Sequence, residues 1–241
     1  MGKNAADVEI ISIAPRFCGP PGSGNGGYVA GMLANHASRP VRVRLRKPPP
    51  LSAALMVRHH GEDKLELVRD GELIAQAEPC EIDIAAPAPP SYMEALHASR
   101  AYAGFHGHPF PNCFVCGPQR ARGDGLRIFA GPLGDRNAVA APWMADESLG
   151  AADGKVCPEF MWAALDCPGY FAAASDARPM LLGEIAVRIE RRVHVAEPCV
   201  VLAWRLGGDG RKHNVGTALY DEDGECCARA VATWIEIAAA A

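Results

Sequence analysis

The sequence predicts an α+β protein built as two units, each a central helix wrapped by a curved antiparallel sheet. Three observations predict it. One order of elements (strand, loop, helix, strands) runs twice along the 241 residues. The strand candidates alternate apolar and polar residues with a period of two. Asp70-Gly71 and Asp223-Gly224 mark tight turns between strands, which need no crossover helices and therefore make the sheets antiparallel.

In the first half, Val8 to Ile13 reads as a weak strand, and the Gly/Pro-rich loop Cys18 to Gly24 leads into a helix from Asn25 to Ala37. Asn25 is a good N-cap. Tyr28 and Met32, like Val29 and Leu33, fall four residues apart, and the small Ala30, Gly31 and Ala34 suit a helix packed closely on several sides. Val41, Val43 and Leu45 then alternate with Arg42, Arg44 and Arg46 before a break at Lys47-Pro48-Pro49-Pro50. Strands near Leu55–His60, Lys64–Arg69 and Leu73–Ile84 follow.

In the second half, Leu126–Phe129 and Val139–Trp143 are short strand candidates, and an apolar helical run starts at Cys157-Pro158 and continues through Leu165. Ile185, Val187 and Ile189 alternate with Ala186, Arg188 and Glu190. Leu219 to Gly224 turns into Cys226–Ile237, as Leu67 to Gly71 turns into Leu73–Ile84. The offset between the halves grows along the chain, as longer loops in the second copy would make it do. The expected division is a unit at 1–84, a Pro/Gly-rich linker at 85–123 and a second unit at 124–241, each unit within the usual domain range.

A chain that is 49% hydrophobic and 22% charged is not disordered, coiled-coil or collagenous, and a formal charge of −4 does not support a general nucleic-acid binder. Cysteine is odd in number, nine, with Cys226 and Cys227 adjacent, so free thiols packed as small hydrophobes are expected. After Met1-Gly2-Lys3-Asn4 the first apolar stretch is broken by Glu9 and Ser12, Ala6 fails the myristoylation pattern, and no window suits a membrane helix. A cytoplasmic chain with neither nucleic-acid nor membrane partners is expected.

Several segments carry a family resemblance. In the second half they are Asn112-Cys113-Phe114-Val115-Cys116-Gly117-Pro118, then Gly125-Leu126-Arg127-Ile128-Phe129, Ala164-Leu165-Asp166, and Ala218 to Gly224. This half resembles hotdog-superfamily thioesterases, particularly those of the phenylacetate-degradation type. The first half, through Gly24-Asn25-Gly26-Gly27-Tyr28-Val29-Ala30, resembles the amino-terminal half of double-hotdog acyl-CoA thioesterases. The element order is likewise that of a double hotdog, with its two sheets expected to join into one. The resemblance implies cleavage of acyl-CoA or acyl-carrier thioesters at one composite site between the halves. It implies no cofactor beyond the coenzyme A moiety of the substrate, and it leaves room for a homodimer of double hotdogs. Relatives of this type start the helix with His-Gly-Gly and carry an acid nine residues on. Here the first half has Asn25-Gly26-Gly27 but Ala34, and the second has Cys157-Pro158-Glu159 but Asp166.

A helix rises about 1.5 Å per residue, so an acid nine residues along sits roughly 13 Å from its own helix start. The glycines of one half must therefore serve the acid of the other. Gly26 and Gly27 let a substrate approach bare N–H groups where the helix dipole favours an oxyanion, or else they only ease close packing. Asn25 caps the helix or orients substrate. Asp166 acts as general base or as nucleophile, against the plainer reading of a networked buried carboxylate. The opposite pseudo-symmetric site has neither the glycines nor the acid. Two other functions stay open: a non-catalytic acyl-binding or scaffold protein, and a hotdog hydratase or dehydratase, although neither helix start offers a histidine.

No metal is expected. His106, His108, Cys113 and Cys116 have zinc-ligand chemistry, but the histidines are too close for the usual finger spacing, and Cys-x-x-Cys-Gly is frequent in related non-metal thioesterases. Arg42, Arg44, Arg46 and Lys47, and likewise Arg188, Arg191 and Arg192, form either solvated strand faces or contacts for coenzyme A phosphates. His59 and His60 point to opposite strand faces, one packed and one solvated. Glu159 compensates the dipole at its helix start.

Overall fold

A computed structural model describes residues 9–61, 64–134, 136–173 and 179–237; the readings at Met1 to Asn4, Ala6 and Val8 lie outside them. The first half runs β1 (Glu9–Ile11), α1 (Gly26–Ala34), β2 (Val41–Leu45), β3 (Leu55–His59), β4 (Leu65–Arg69) and β5 (Glu72–Pro79). After α2 (Tyr92–Ser99) come β6 (Gly131–Pro132), β7 (Ala138–Met144), α3 (Pro158–Ala164), α4 (Cys167–Ala173) and β8 (Met180–Ile189). β9 (Pro198–Asp209), β10 (Lys212–Tyr220) and β11 (Cys226–Glu236) follow.

Among the described residues eleven strands form one sheet, ordered β1-β3-β4-β5-β2-β8-β11-β10-β9-β7-β6. The two sides match: β1-β3-β4-β5-β2 on one, β7-β9-β10-β11-β8 on the other. This is the expected double hotdog, in which two sheets become one through β2 and β8. They pair antiparallel with Val43 opposite Ile185. Glu184 locks the seam, lying 2.7 Å from Arg44 Nε and 3.6 Å from Arg42 Nε. Arg46 Nε donates to Gln76 Oε1 at 3.2 Å and Lys47 pairs with Glu72, so the basic run of β2 is largely engaged within the sheet. Arg191 and Arg192 likewise pair with Asp221 and Asp153.

Local chemistry sets the element ends. Asn25 Oδ1 accepts from Tyr28 N–H at 2.9 Å and so starts α1 as an N-cap. Asp70 and Gly71 take positive φ of 49° and 82°, the left-handed pair that a tight β4–β5 hairpin needs. Val29, Leu33, Met161, Ala163 and Leu165 are buried in the main core, against strand residues such as Val43, Leu67, Ile185 and Val201.

The structure corrects several expectations. α1 ends at Ala34 rather than Ala37. The apolar run of the second half is not one helix. Pro168 has no N–H to give the Ala164 carbonyl, so the chain turns at Leu165-Asp166 and restarts as α4. Leu126–Phe129 is not a strand; Arg127 has φ 54°, and the Leu126 and Ile128 amides bond instead to the Phe114 and Val115 carbonyls. β5 stops at Pro79, short of Ile84. His59 and His60 are both exposed. Residues 85–123, read as a linker, hold α2 with a Ser91/Glu94 capping box and the fully buried Phe114 and Val115. The nine cysteines are free thiols. Among the described residues no helix is long and apolar enough to cross a membrane.

Candidate functional site

α1 and α3 pack face to face through two glycines one turn apart. A Cβ on Gly27 would lie 2.5 Å from Asp166 Cβ, and one on Gly31 would lie 2.7 Å from Glu159 Cα. The contacts run in opposite senses along the two helices, so the start of α1 meets the end of α3. Asp166 is thereby delivered to Asn25-Gly26-Gly27 from the other half of the chain.

Both groups are buried: Asp166 is 1% exposed and Asn25 2%. Asp166 Oδ2 accepts from the Gly27 N–H at 2.9 Å and from Asn25 Nδ2 at 3.0 Å. The bond from Tyr28 N–H fixes the Asn25 amide with its oxygen toward the helix, which leaves its NH₂ facing the acid. Asp166 Oδ1 is buried and has no hydrogen-bond partner among the described residues. Burial pushes the Asp166 carboxyl up to about 7; the Gly27 N–H and Asn25 pull the other way, and the Cys113 sulfur adds to the rise.

A cavity of about 370 Å³ opens on this group, and Asn25, Gly26 and Asp166 line it. Its apolar wall includes Leu45, Leu182, Tyr170, Phe171 and Trp234, while the exposed Arg46 and Lys47 border it. Of the two glycines expected to face substrate, Gly26 does. Gly27 instead directs its N–H at Asp166 and its Cα face at the Asp166 side chain and the Trp162 carbonyl oxygen. At N1 of the helix, the Gly26 N–H has no intrahelical partner. The site therefore comprises a clamped carboxylate with one free oxygen, beside a helix start open to a ligand.

Three wall residues were not placed here by sequence reasoning. Cys167 follows Asp166 at the head of α4, and its Sγ lies 3.6 Å from Cys113 Sγ. His108, read only as a zinc candidate, donates or accepts at Cys116 Sγ over 3.2 Å. Tyr170 projects from the same helix as Cys167. Only the adjacency of Cys167 to Asp166 could have signalled its place. His106 is exposed and apart from this group.

The other end of the helix pair is different. Glu159 Oε2 accepts from Asn35 Nδ2 at 2.9 Å in an exposed position. Tyr28 stacks there on Phe17 and Phe160, with ring centroids 4.3 and 5.6 Å away, and burial with Glu159 beside it raises its phenol pKa.

No protein-family model matches the chain, and no curated protein does either. Solved structures do. A tesB protein of Mycobacterium avium subs paratuberculosis superposes with TM-score 0.62 at 10% identity, covering 96% of this chain and 93% of that one. An acyl-CoA thioesterase II of Mycobacterium marinum gives 0.61 at 10% identity, covering 99% and 96%. A hot dog fold protein of unknown function from Alicyclobacillus acidocaldarius gives 0.60 at 10%, again covering 99% and 96%. With its one sheet, its two central helices and these neighbours spanning nearly its whole length, the chain has the double hotdog fold found in thioesterases.

Proposed function

We propose that the protein hydrolyses acyl thioesters, of coenzyme A or of an acyl carrier, at the Asp166 end of the α1/α3 pair. The observation that carries this reading is the unpartnered Oδ1 of a buried carboxylate whose other oxygen is held by Gly27 and Asn25. In this reading Asp166 is the general base: a carboxylate near pH 7 can take a proton from water without being permanently protonated. The thioester carbonyl sits against the Gly26 N–H, where the helix start offsets the developing oxyanion. The acyl chain runs along the Leu182–Trp234 wall, and the exposed Arg46, bonded to the neutral Gln76 side chain, offers charge to coenzyme A phosphates. The named thioesterases among the structural neighbours support the reaction class.

A hydratase would pair a histidine with the acid. His108 does line the cavity, but Phe110 N–H occupies its Nδ1 at 2.8 Å and its Nε2 faces Cys116, so neither nitrogen is free for that role.

The test is thiol release from a panel of aliphatic and aromatic acyl-CoAs. Wild type is expected to turn over at least one, with a rate that rises as pH passes about 7 and Asp166 ionises. Asp166→Asn is expected to lose about 100- to 10,000-fold. Single turnover in ¹⁸O-water is expected to label the product acid and not Asp166, as a base mechanism requires. Calorimetric binding of acyl-CoA without any thiol release would overturn hydrolysis in favour of an acyl-binding protein.

A further inference from the structure

Three thiols meet in the cavity wall beside Asp166. Cys113, Cys116 and Cys167 are buried, and their sulfurs lie within 4.8 Å of one another. They come from two distant segments. Cys113 and Cys116 sit on a tight turn closed by the Gly117 N–H on the Cys113 carbonyl at 2.9 Å, and Cys167 heads α4. A Cβ at Gly117 would lie 2.6 Å from Cys113 N and O, so the turn requires glycine. In this Cys-x-x-Cys-Gly knuckle both side chains face one way, toward Cys167.

The spacing fits a metal. Zinc–sulfur bonds of about 2.3 Å at tetrahedral angles place sulfurs about 3.8 Å apart. Cys113 and Cys167 are at 3.6 Å. N–H donors also surround the sulfurs. Asn25 Nδ2 lies 3.7 Å from Cys167 Sγ and 4.0 Å from Cys113 Sγ, and His108 Nε2 lies 3.2 Å from Cys116 Sγ. Three thiols packed only as small hydrophobes need no such donors, whereas thiolates on a cation are steadied by them.

His108 completes the argument by its tautomer. Phe110 N–H donates to Nδ1 at 2.8 Å, so in the neutral ring the proton sits on Nε2 and points at Cys116. Ligation through Nε2 would require that proton to move and the Phe110 bond to break. His108 is an outer donor to the cluster, and the fourth position belongs to the cavity.

We propose that Cys113, Cys116 and Cys167 bind one thiophilic divalent cation of the zinc class, with its fourth coordination position open to the cavity. Each thiol gives up its proton on binding, and no electrons move. This reverses the expectation of no metal, which considered the Cys113/Cys116 pair with two histidines and lacked the third sulfur. It does not depend on the protein being a hydrolase.

The experiment uses the full chain, reduced and stripped with a chelator, then titrated with Zn²⁺ against a metallochromic dye and with Co²⁺ by absorbance. One ion per chain is expected, with thiolate-to-cobalt charge-transfer bands whose intensity reports three sulfurs. Cys113→Ser, Cys116→Ser and Cys167→Ser are each expected to weaken Zn²⁺ by more than about 100-fold, while His108→Ala costs about 10-fold, as outer partners do. Cys199→Ser, a buried cysteine outside the cluster, should bind as wild type. The proposal is overturned if stripped wild type binds no stoichiometric Zn²⁺, or if the cobalt bands lack thiolate character. It is overturned equally if native mass and peptide mapping reveal a Cys113–Cys167 disulfide. Because the cobalt spectrum is read on wild type, a cysteine variant that fails to fold leaves the proposal testable.

Discussion

The two ends of the α1/α3 pair make the same kind of contact in opposite surroundings. At each end an acid from the second half accepts a hydrogen bond from an asparagine of the first: Asp166 from Asn25, Glu159 from Asn35. One pair is buried beside the cavity and the other is exposed. The buried acid has a carboxyl raised to about 7 and keeps one oxygen free, while the exposed one is an ordinary surface contact. Aromatic rings occupy the neighbourhood of Tyr28, and a cavity occupies that of Asp166. The difference teaches that burial and a nearby cavity, more than the hydrogen bond itself, set what each carboxylate can do.

Exchanging the chemistry at each end tests this directly. Asp166→Asn should lower thioester hydrolysis by about 100- to 10,000-fold, whereas Glu159→Gln should leave kcat within about twofold, measured on the same substrate. Equal losses would erase the distinction.

The buried end should also dominate the pH dependence of stability. Asp166 has a carboxyl raised from 3.8 to about 7 on folding, so the native state binds the extra proton between those values. Its contribution is most favourable below about pH 4 and is lost as pH rises through 7, a swing of about 4 kcal/mol. Urea unfolding should show that slope in wild type, and it should be missing in Asp166→Asn. Glu159→Gln should retain it.

The glycines give a smaller effect. Gly27→Ala and Gly31→Ala both force the helices apart and should each cost about 1–3 kcal/mol in urea midpoints. Only Gly27→Ala, whose Cβ would meet Asp166 at 2.5 Å, should also lower kcat sharply. Smallest of all, Asn35→Ala should change stability by less than about 1 kcal/mol, because its bond to Glu159 is exposed to water.

Much of this arrangement was legible in the sequence. The complementary loss of glycines from one helix start and of the acid from the other required the two halves to meet, and Asn25, Gly27 and Asp166 do meet. What the sequence concealed was the direction of each group. Gly27 spends its N–H on the acid, which a spacing argument cannot distinguish from an N–H offered to substrate. The break at Asp166 was available in Pro168, and α2 in the Ser91-x-x-Glu94 capping box, but the surrounding apolar and proline-rich composition masked them. Cys167 could not be joined to Cys113 and Cys116 because their proximity arises only when α4 folds against the 111–117 turn. β9, long and central to its half of the sheet, lacks clean alternation because Cys199 to Ala203 are buried in succession.

The seam between β2 and β8 has a consequence for how the chain comes into being. Its partners, like Asn25 and Asp166, are some 140 residues apart (Arg44 and Glu184 differ by 140, Asn25 and Asp166 by 141). Contacts that distant form late and slowly, because the loop they close must be ordered before the contact repays it. During synthesis the first half emerges with Gly27 and Gly31 facing no partner and β2 as a raw sheet edge. The clamped carboxylate cannot exist until the second half has been made and docked, so the same event that covers the exposed edge also assembles the site.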